Sequence, residues 1–242
     1  MKKYSFLVDG IPVGIYSASE FEIANNSYLA DSDTEGIKVM LTADSQSDFR
    51  LEYLDKNNTK PREPHIPLAA LSCFLKVVRG YPDMTLDITT DKGVYKLYLS
   101  ATRNYNFVVN DVKCKVLCTK TVDFYDGISF AVDVIDQYGS CGVVVCNDTE
   151  CFDKTRATLL NARLRQDGIT TLIIASYIDR IGIISLGDIM PHEAIAIGIS
   201  AISSRGISLP YVRYTASVNG VDIALQLTSR SITFYPEIKY IS

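Results

Sequence analysis

The 242-residue chain contains only two histidines, His65 and His192, and each follows a proline at the start of an apolar segment. The segments are EPHIPLAALSCFLKVVRGYP (63–82) and MPHEAIAIGISAISSRGISLP (190–210), and both pass through an Arg-Gly pair before a proline. Imidazole suits acid–base chemistry near neutral pH because its ordinary pKa is about 6.5. Two histidines on opposite sides of a carbon could remove a proton from one face and deliver one to the other.

Both histidine segments are predicted to form long buried helices. After its Pro-His pair, each segment runs for about 14 residues with few polar side chains, which is longer than a typical strand. Proline is favoured at the first helical position, and Gly80 and Gly206 stand where a left-handed residue often ends a helix. Because the segments are apolar nearly all round, the helices should be buried on most faces.

These two helices belong to an internal repeat. The separation of His65 from His192 along the chain equals that of Gly93 from Gly220, the glycines of KGVYKLYL and NGVDIALQL. Upstream, FLVDGI matches FAVDVI with a slightly different offset, as a loop insertion would produce. We therefore expect two homologous halves, residues 1–113 and 114–242.

The same order of elements is predicted in each half. Two strands come first (3–8 and 12–16, then 128–135 and 142–146), because these runs are rich in β-branched residues and are separated by turn residues. A short amphipathic segment follows, SEFEIANNSYLA (19–30) or CFDKTRATLLNARLRQ (151–166). A hairpin, the Pro-His helix and two further strands complete each half. This order predicts an α+β fold in which strands surround a central helix, twice over.

Composition narrows the class of protein. Hydrophobic residues make up 47% of the chain, which is enough for a sizeable core, and the net charge of −4 gives no basic footprint for a nucleic acid. No run approaches the ~20 apolar residues of a membrane span, and no signal peptide is recognised, so we expect a cytoplasmic protein. A phosphate-binding glycine loop is also missing, and no cofactor is expected.

Six cysteines are interpreted as free thiols rather than as a metal site. Zinc sites favour close C-x2-C pairs with supporting histidines, whereas the closest pairs here have x3 and x4 spacings. We therefore expect no bound metal. The cysteines are Cys73, Cys114, Cys118, Cys141, Cys146 and Cys151.

Three stretches resemble the diaminopimelate epimerase superfamily, which includes proline racemases and phenazine-biosynthesis isomerases. They are PHEAIAIGISAISSRGI (191–207), DFRLEYLDKNNTKPREPHIPLAALSCFLKVVRG (48–80) and MTLDITTDKGVYKLYL (84–99). The resemblance implies an α+β fold with two pseudo-symmetric halves, each a mostly antiparallel sheet curled around a central apolar helix. It also implies a cleft between the halves, with the active site at the helix N-termini.

The chain departs from the family at the residues that do its chemistry. In that family each central helix opens with Cys-Gly, and the two cysteines act as base and acid. Here Pro191 stands at one cysteine position, and Pro64 or His65 at the other. An expected Asn-Pro segment and Glu-Arg pair, which hold an amino acid, are replaced by YGSCGVVV (138–145) and SLGD (185–188). A standard diaminopimelate epimerase is therefore disfavoured, and a peptide residue or another carboxylate is expected in place of a free α-amino acid.

The resemblance places His65 and His192 as opposed acid and base in a cofactor-independent racemase or epimerase. The N–H groups of Ile66, Glu193 and Ala194 would stabilise a developing enolate at the positive helix ends. Glu63 and Glu193 flank the histidines and would assist them. A small molecule with a carbonyl beside its stereocentre, or a peptide residue, would bind between the halves, and a homodimer is left open.

Two other interpretations remain at this point. A histidine at a helix start is commonly a structural residue, so the protein could be an inactive relative that binds a ligand or partner in the same cleft. A double-bond isomerase, which the superfamily also contains, would use the same proton shuttling.

Overall fold

The structure is a computed structural model of the chain. It describes residues 2–17, 36–55, 64–100, 105–110, 115–124, 127–136, 140–146, 153–177, 180–229 and 231–241. The chain divides into two compact units. The first contains Met1–Phe107 and Tyr235–Ser242, and the second contains Val108–Phe234.

The first unit is built on a seven-stranded mixed sheet. Its strands are β1 (Lys2–Val8), β2 (Ile11–Ser17), β3 (Ile37–Thr42), β4 (Phe49–Leu54), β5 (Met84–Thr90), β6 (Gly93–Leu99) and β16 (Ile238–Tyr240), in the order β16-β1-β2-β3-β4-β5-β6. β2–β3 and β4–β5 pair in parallel, and the other neighbours are antiparallel. The β1–β2 hairpin closes through Asp9 and Gly10, both at positive φ (48° and 77°), as two-residue hairpin turns require.

One helix occupies the centre of this unit. α1 (His65–Cys73) continues directly into a π-helical segment (Phe74–Val78), so the nine and five residues together match the predicted length. Every residue from 66 to 72 is buried. The helix contacts β1, β2, β6 and β16, which lie at both ends of the strand order, so the sheet must curl around it. Gly80, at φ 68°, follows the helix as predicted.

A nine-stranded mixed sheet forms most of the second unit. Its strands are β7 (Phe107–Asn110), β8 (Val116–Asp123), β9 (Ser129–Asp136), β10 (Ser140–Cys146), β11 (Thr171–Tyr177), β12 (Ile181–Leu186), β13 (Arg213–Val218), β14 (Val221–Leu227) and β15 (Ser231–Tyr235), in the order β7-β15-β14-β13-β12-β11-β10-β9-β8. β10–β11 and β12–β13 are parallel. β11 is buried along nearly its whole length, which indicates that both of its faces are covered.

The amphipathic segment of the second half forms α2 (Lys154–Gln166), as predicted. Asp153 caps the helix, because its carboxylate accepts a hydrogen bond from the Thr155 N–H at 3.0 Å. The apolar stripe of the helix packs into one buried cluster with β11. The shared side chains are Ala157, Leu160, Leu164, Leu172 and Ile174.

The second Pro-His segment forms α3 (Pro191–Ser204), which contacts β10, β11, β12 and β13. A Cβ atom at Gly198 would lie 3.2 Å from the Ala175 Cβ and would overlap Ile183, so glycine permits the close approach of helix and sheet. Ala175 follows Ile174 in β11, and successive side chains point to opposite faces of a strand. α2 and α3 therefore cover the two faces of the same sheet.

The internal repeat is visible in the strand pairing. β1 to β6 pair in the sequence antiparallel, parallel, antiparallel, parallel, antiparallel, and β9 to β14 repeat that sequence. α1 lies between β4 and β5 in the chain, and α3 lies at the equivalent place between β12 and β13. The predicted α+β architecture of two similar halves, each with a central apolar helix, is confirmed.

The units differ at their ends from the predicted halves, 1–113 and 114–242. The first unit ends at Phe107, and residues 235–242 return to it because β16 pairs with β1, with Phe6 opposite Tyr240. The predicted amphipathic segment 19–30 lies outside the described residues. No helix in the described ranges has the length and apolar character needed to cross a bilayer.

Candidate active site

His65 is the first residue of α1, as the sequence indicated. Pro64 precedes it as the N-cap residue rather than as the first helical residue, and the Leu68 N–H donates to the Pro64 carbonyl at 2.8 Å. The helix therefore starts one residue later than the proline rule predicts. The histidine side chain is half-buried, at the end of the helix where the peptide dipoles concentrate positive charge.

Two aromatic rings contact the His65 imidazole. The Phe107 ring is stacked on it, with the ring centroids 4.2 Å apart and the planes only 7° from parallel. Tyr95 approaches edge-on, with centroids 6.3 Å apart and an interplanar angle of 88°. Stacking of this kind restricts rotation of the imidazole plane and so limits the directions in which its nitrogens point.

Tyr105 adds a phenol to this aromatic group, and sequence analysis did not single it out. Its ring centroid lies 6.2 Å from that of Phe107. Burial raises the pKa of the Tyr105 phenol well above its usual value, and the nearby Tyr95 raises that pKa further. The Tyr105 hydroxyl is therefore neutral at physiological pH and keeps its proton. A Tyr-x-Phe spacing at the start of β7 was the only sequence signal for it.

His192 is the second residue of α3, directly after Pro191 at the first helical position, as predicted. Its side chain is 4% exposed, which makes it far more buried than His65. The imidazole meets the Phe234 ring edge-to-face, with centroids 5.0 Å apart and an interplanar angle of 87°. This contact anchors the imidazole within the second unit.

The contact between histidine and phenylalanine is part of the repeat. Phe107 follows His65 at the same distance along the chain as Phe234 follows His192. The separation of the two phenylalanines therefore equals that of the two histidines. Both copies keep a ring against the imidazole, although one pair is stacked and the other is edge-to-face.

Glu193 has a clear structural task at the start of α3. Its side chain is 9% exposed, and its Oε2 accepts a hydrogen bond from the Met190 N–H at 3.2 Å. This arrangement is one arm of a capping box, and the carboxylate also lies at the positive end of the helix. A substrate-binding role for Glu193 would have to share the carboxylate with this cap.

The three expected backbone donors differ in their availability. The Glu193 N–H donates to the Met190 side chain in the capping box. The Ala194 N–H donates to the Met190 carbonyl at 3.0 Å, so it makes the first intrahelical bond and is not available to a substrate in the way we predicted. Ile66 precedes Leu68, which makes the first such bond of α1, and its own N–H has no helical residue four positions earlier. Ile66 therefore stays a candidate donor, although its side chain is buried.

The remaining candidates give no further groups at these helix starts. Glu63 lies outside the described residues. Cys73, Cys118, Cys141 and Cys146 are thiols rather than members of a disulfide, and burial raises the pKa of the Cys73 thiol. The described side chains include no cluster of three or more His, Cys, Asp or Glu that could hold a metal ion.

Comparison with known proteins identifies the fold. No protein-family model matches the sequence, and no curated protein matches it. Solved structures do match along the whole chain. A phenazine biosynthesis protein of the PhzF family from Enterococcus faecalis is 12% identical, with a TM-score of 0.62 and coverage of 100% of this chain and 98% of that one.

Two further matches are named for racemisation and epimerisation. A hydroxyproline epimerase from Agrobacterium vitis, solved with bound trans-4-hydroxy-L-proline, is 10% identical, with a TM-score of 0.58 over 99% of this chain and 90% of that one. A probable proline racemase from Agrobacterium radiobacter K84, with bound carbonate, is 9% identical, with a TM-score of 0.59 over 99% and 92%. The chain therefore has the diaminopimelate epimerase-like fold that its sequence resembles.

Proposed function

We propose that the protein is a cofactor-independent isomerase, a racemase or epimerase that inverts a carbon stereocentre next to a carbonyl, with His65 and His192 as its two proton-transfer groups. The observation that carries the proposal is the position of the histidines. Each lies in the first turn of the central helix of its repeat, and the fold is shared with proteins named as epimerases and racemases. The sequence supplies no other histidine.

In the proposed reaction, the neutral imidazole of one histidine removes the proton from the stereocentre. The electron pair of that C–H bond moves into the neighbouring carbonyl and gives an enolate. The imidazolium of the other histidine then donates its proton to the opposite face of the carbon, and the carbonyl re-forms. One proton is removed and one is added, so the reaction needs no oxidant or reductant.

Residues around the histidines would prepare this reaction. Phe107 and Phe234 restrict the two imidazole rings, which favours a fixed distance to the reacting carbon. The N–H of Ile66 would face negative charge that develops on the carbonyl oxygen, because it lies at the positive end of α1. Glu63 and Glu193 are the acidic residues next to the histidines in the sequence, and either would assist them.

The proposed substrate is a small molecule or peptide residue rather than a free diaminopimelate. In the resembling family a Glu-Arg pair ahead of the second central helix holds the amino acid, and this chain has SLGD (185–188) there. An acyl or peptide group on nitrogen would remove the positive charge that the glutamate of such a pair recognises. N-acylated amino acids and peptides are therefore the first candidates.

A non-catalytic relative that binds a ligand or partner is the second candidate. Two observations favour it. His192 is only 4% exposed and packs on Phe234, and the Glu193 carboxylate accepts a hydrogen bond from the Met190 N–H. Both residues have a structural task that would persist after loss of chemistry.

Proton exchange in D2O separates the two functions. The purified chain would be incubated with proline, trans-4-hydroxy-L-proline, N-acetyl amino acids and dipeptides, and deuterium at the α-carbon would be measured by NMR and mass spectrometry. We expect exchange with at least one compound, and a loss of about 10²–10⁴-fold in each of His65→Ala and His192→Ala.

The matched control is Ser204→Ala, which changes the far end of α3 and should leave exchange unaltered. Exchange that survives in either histidine variant would contradict the two-histidine mechanism. Absence of exchange with every compound, together with intact folding, would favour the binding function.

A further inference from the structure

The second unit contains a cavity at the end of α3 opposite to His192. Its volume is about 440 Å³, within the range of small-molecule sites. The walls come from the last turns of α3, the loop 206–211 and the turn between β14 and β15. Its helical lining runs from Ala196, roughly 6 Å along the helix axis beyond His192, to Ser203, roughly 16 Å beyond it. His192 itself does not line the cavity.

None of the described residues that line this cavity carries a formal charge. The wall is composed of alanine, glycine, isoleucine, leucine, serine, threonine and one tyrosine. A phosphate, carboxylate or ammonium group would lose its hydration here without gaining a partner of opposite charge. The cavity also adjoins the C-terminal end of α3, where the partial negative charge of the helix disfavours anions. The described part of the wall therefore suits a neutral ligand.

Hydroxyl groups dominate the polar part of the wall. Within the described chain, four serine hydroxyls of the wall make no hydrogen bond to protein, and these belong to Ser200, Ser203, Ser208 and Ser229. Each serine hydroxyl offers one donor and two acceptor sites. A ligand that carries several hydroxyl groups of its own can satisfy both kinds of site at once.

An apolar surface lies beside these hydroxyls. Ala196, Leu209 and Leu227 contribute buried side chains to the wall, with exposed fractions of 1%, 7% and 4%. Tyr211 also lines the cavity and is 68% exposed, so its ring is available at the mouth. A tyrosine ring combines an apolar face with a polar tip, which suits a ligand with one apolar and one hydroxylated side.

The loop that forms one side of the cavity is held in place by the sheet. The Tyr214 hydroxyl donates to the Pro210 carbonyl at 2.9 Å, and the Leu227 N–H donates to the Val212 carbonyl at 3.2 Å. Across the cavity, the Thr228 and Ser231 hydroxyls are 2.8 Å apart and tie the β14–β15 turn together. The cavity therefore exists before a ligand arrives, which lowers the cost of binding.

From this combination we infer that the cavity is a binding site for a neutral polyhydroxylated small molecule of the size of a monosaccharide. Ring or chain carbons would lie on the apolar wall, and the ligand hydroxyls would bond to the free serine hydroxyls. The inference does not depend on the proposed isomerase activity.

Ligand-observed NMR by saturation transfer, with thermal unfolding as a second readout, tests this site on the full chain. The probes are D-glucose and sorbitol, with D-glucuronate, glucose 6-phosphate and glucosamine as charged counterparts. We expect saturation transfer and a higher Tm with at least one neutral probe, and neither effect with its charged counterparts.

Variants decide whether the signal comes from this cavity. Ser200→Ala combined with Ser203→Ala removes two hydroxyls and should weaken binding about tenfold. Ser229→Phe at the exposed turn should block the mouth. Ser204→Ala is the matched control, because the Ser204 hydroxyl bonds to the Ala201 carbonyl at 2.7 Å and lies outside the cavity wall.

His192→Ala should bind the neutral probe like the unaltered chain, even if all proton exchange is lost. Three results would each overturn the inference: no binding of either neutral probe, equal binding of glucose 6-phosphate, or binding that persists unchanged in both cavity variants. Failure of the proposed function would appear separately, in the deuterium exchange alone.

Discussion

The imidazole of His65 lies flat against the ring of Phe107, 4.2 Å between centroids, and the same spacing along the chain brings Phe234 to His192. Two copies of a repeat that share little sequence have thus kept the same neighbour for their histidine. The phenylalanine lies near the end of each repeat, well after the helix that carries the histidine. A structural or a catalytic histidine would both gain from a fixed orientation, so the contact can be tested independently of the reaction.

Replacing Phe107 with Leu should release the His65 ring while keeping an apolar side chain in place. We expect the free energy of unfolding to fall by up to about 1.5 kcal/mol, since the volume is largely conserved. The rate of deuterium exchange should fall about 10- to 100-fold, because proton transfer is much slower when the transferring group is misplaced. Phe107→Tyr keeps the ring and serves as the control. An unchanged exchange rate in Phe107→Leu would show that stacking has no part in positioning His65.

We expect the main role of Glu193 to be capping of α3 rather than assistance to His192. Glu193→Ala removes the acceptor for the Met190 N–H and should lower the free energy of unfolding by about 1 kcal/mol, measured by urea denaturation. Glu193→Gln retains an oxygen acceptor and should restore most of that loss. If Glu193→Gln has normal stability but lowers the deuterium exchange rate, the negative charge itself assists His192.

The backbone at Gly187 should not tolerate a side chain. Its φ is 117°, and a Cβ atom would lie 2.7 Å from the Thr170 carbonyl oxygen and 2.9 Å from the Thr171 Cα. Gly187→Ala should therefore lower the free energy of unfolding by about 2–5 kcal/mol, from strain and overlap together.

Gly168→Ala is the matched control for that change. Its φ is 79°, but nothing lies within 4 Å of the added Cβ, so only the backbone strain of about 1–2 kcal/mol should appear. Equal losses in the two variants would show that the overlap at Gly187 is relieved by local movement.

Tyr214 should make stability depend on pH in the alkaline range. Two effects raise the pKa of Tyr214 from 10.0 to about 12. Burial is the larger, and a hydrogen bond with Tyr177 is the next. The folded state therefore holds the phenol proton more tightly than the unfolded state does. Its stabilising effect is complete below pH 10 and is lost as the pH rises toward 12.

Urea denaturation at several pH values checks this dependence. Tyr214→Phe should show a smaller loss of stability between pH 10 and 12 than the unaltered chain. The matched control is Tyr240→Phe, because Tyr240 is 43% exposed at the C-terminal strand. An identical pH profile for Tyr214→Phe and the unaltered chain would contradict the assignment.

The sequence allowed the central helices and most strands to be predicted because their signals are local. The long apolar run after Pro-His and the glycine behind it are sufficient to indicate α1 and α3, and alternation indicates β5 and β6. The parallel pairs β2–β3 and β4–β5 left no such signal. Their neighbours are chosen by packing on the central helix, between segments far apart in the chain.

The candidate site was predicted less completely than the fold. The histidine positions followed from the repeat, but Phe107 and Phe234 were overlooked because the flanking sequences NFVV and TFYP share only that one residue. The Ala194 N–H was misassigned because its availability depends on where the helix begins. A single residue of uncertainty in the helix start decides which amides are free, and sequence patterns rarely resolve that.

The pairing of β16 with β1 ties the first strand of the chain to one of the last. The Asp9 N–H donates to the Glu237 carbonyl at 2.9 Å, and the Glu237 N–H donates back to the Asp9 carboxylate at 2.8 Å. During synthesis, the N-terminal strands leave the ribosome long before residues 238–240 exist. The first unit must therefore wait with an open sheet edge until the whole of the second unit, Val108–Phe234, and then β16 have been synthesised.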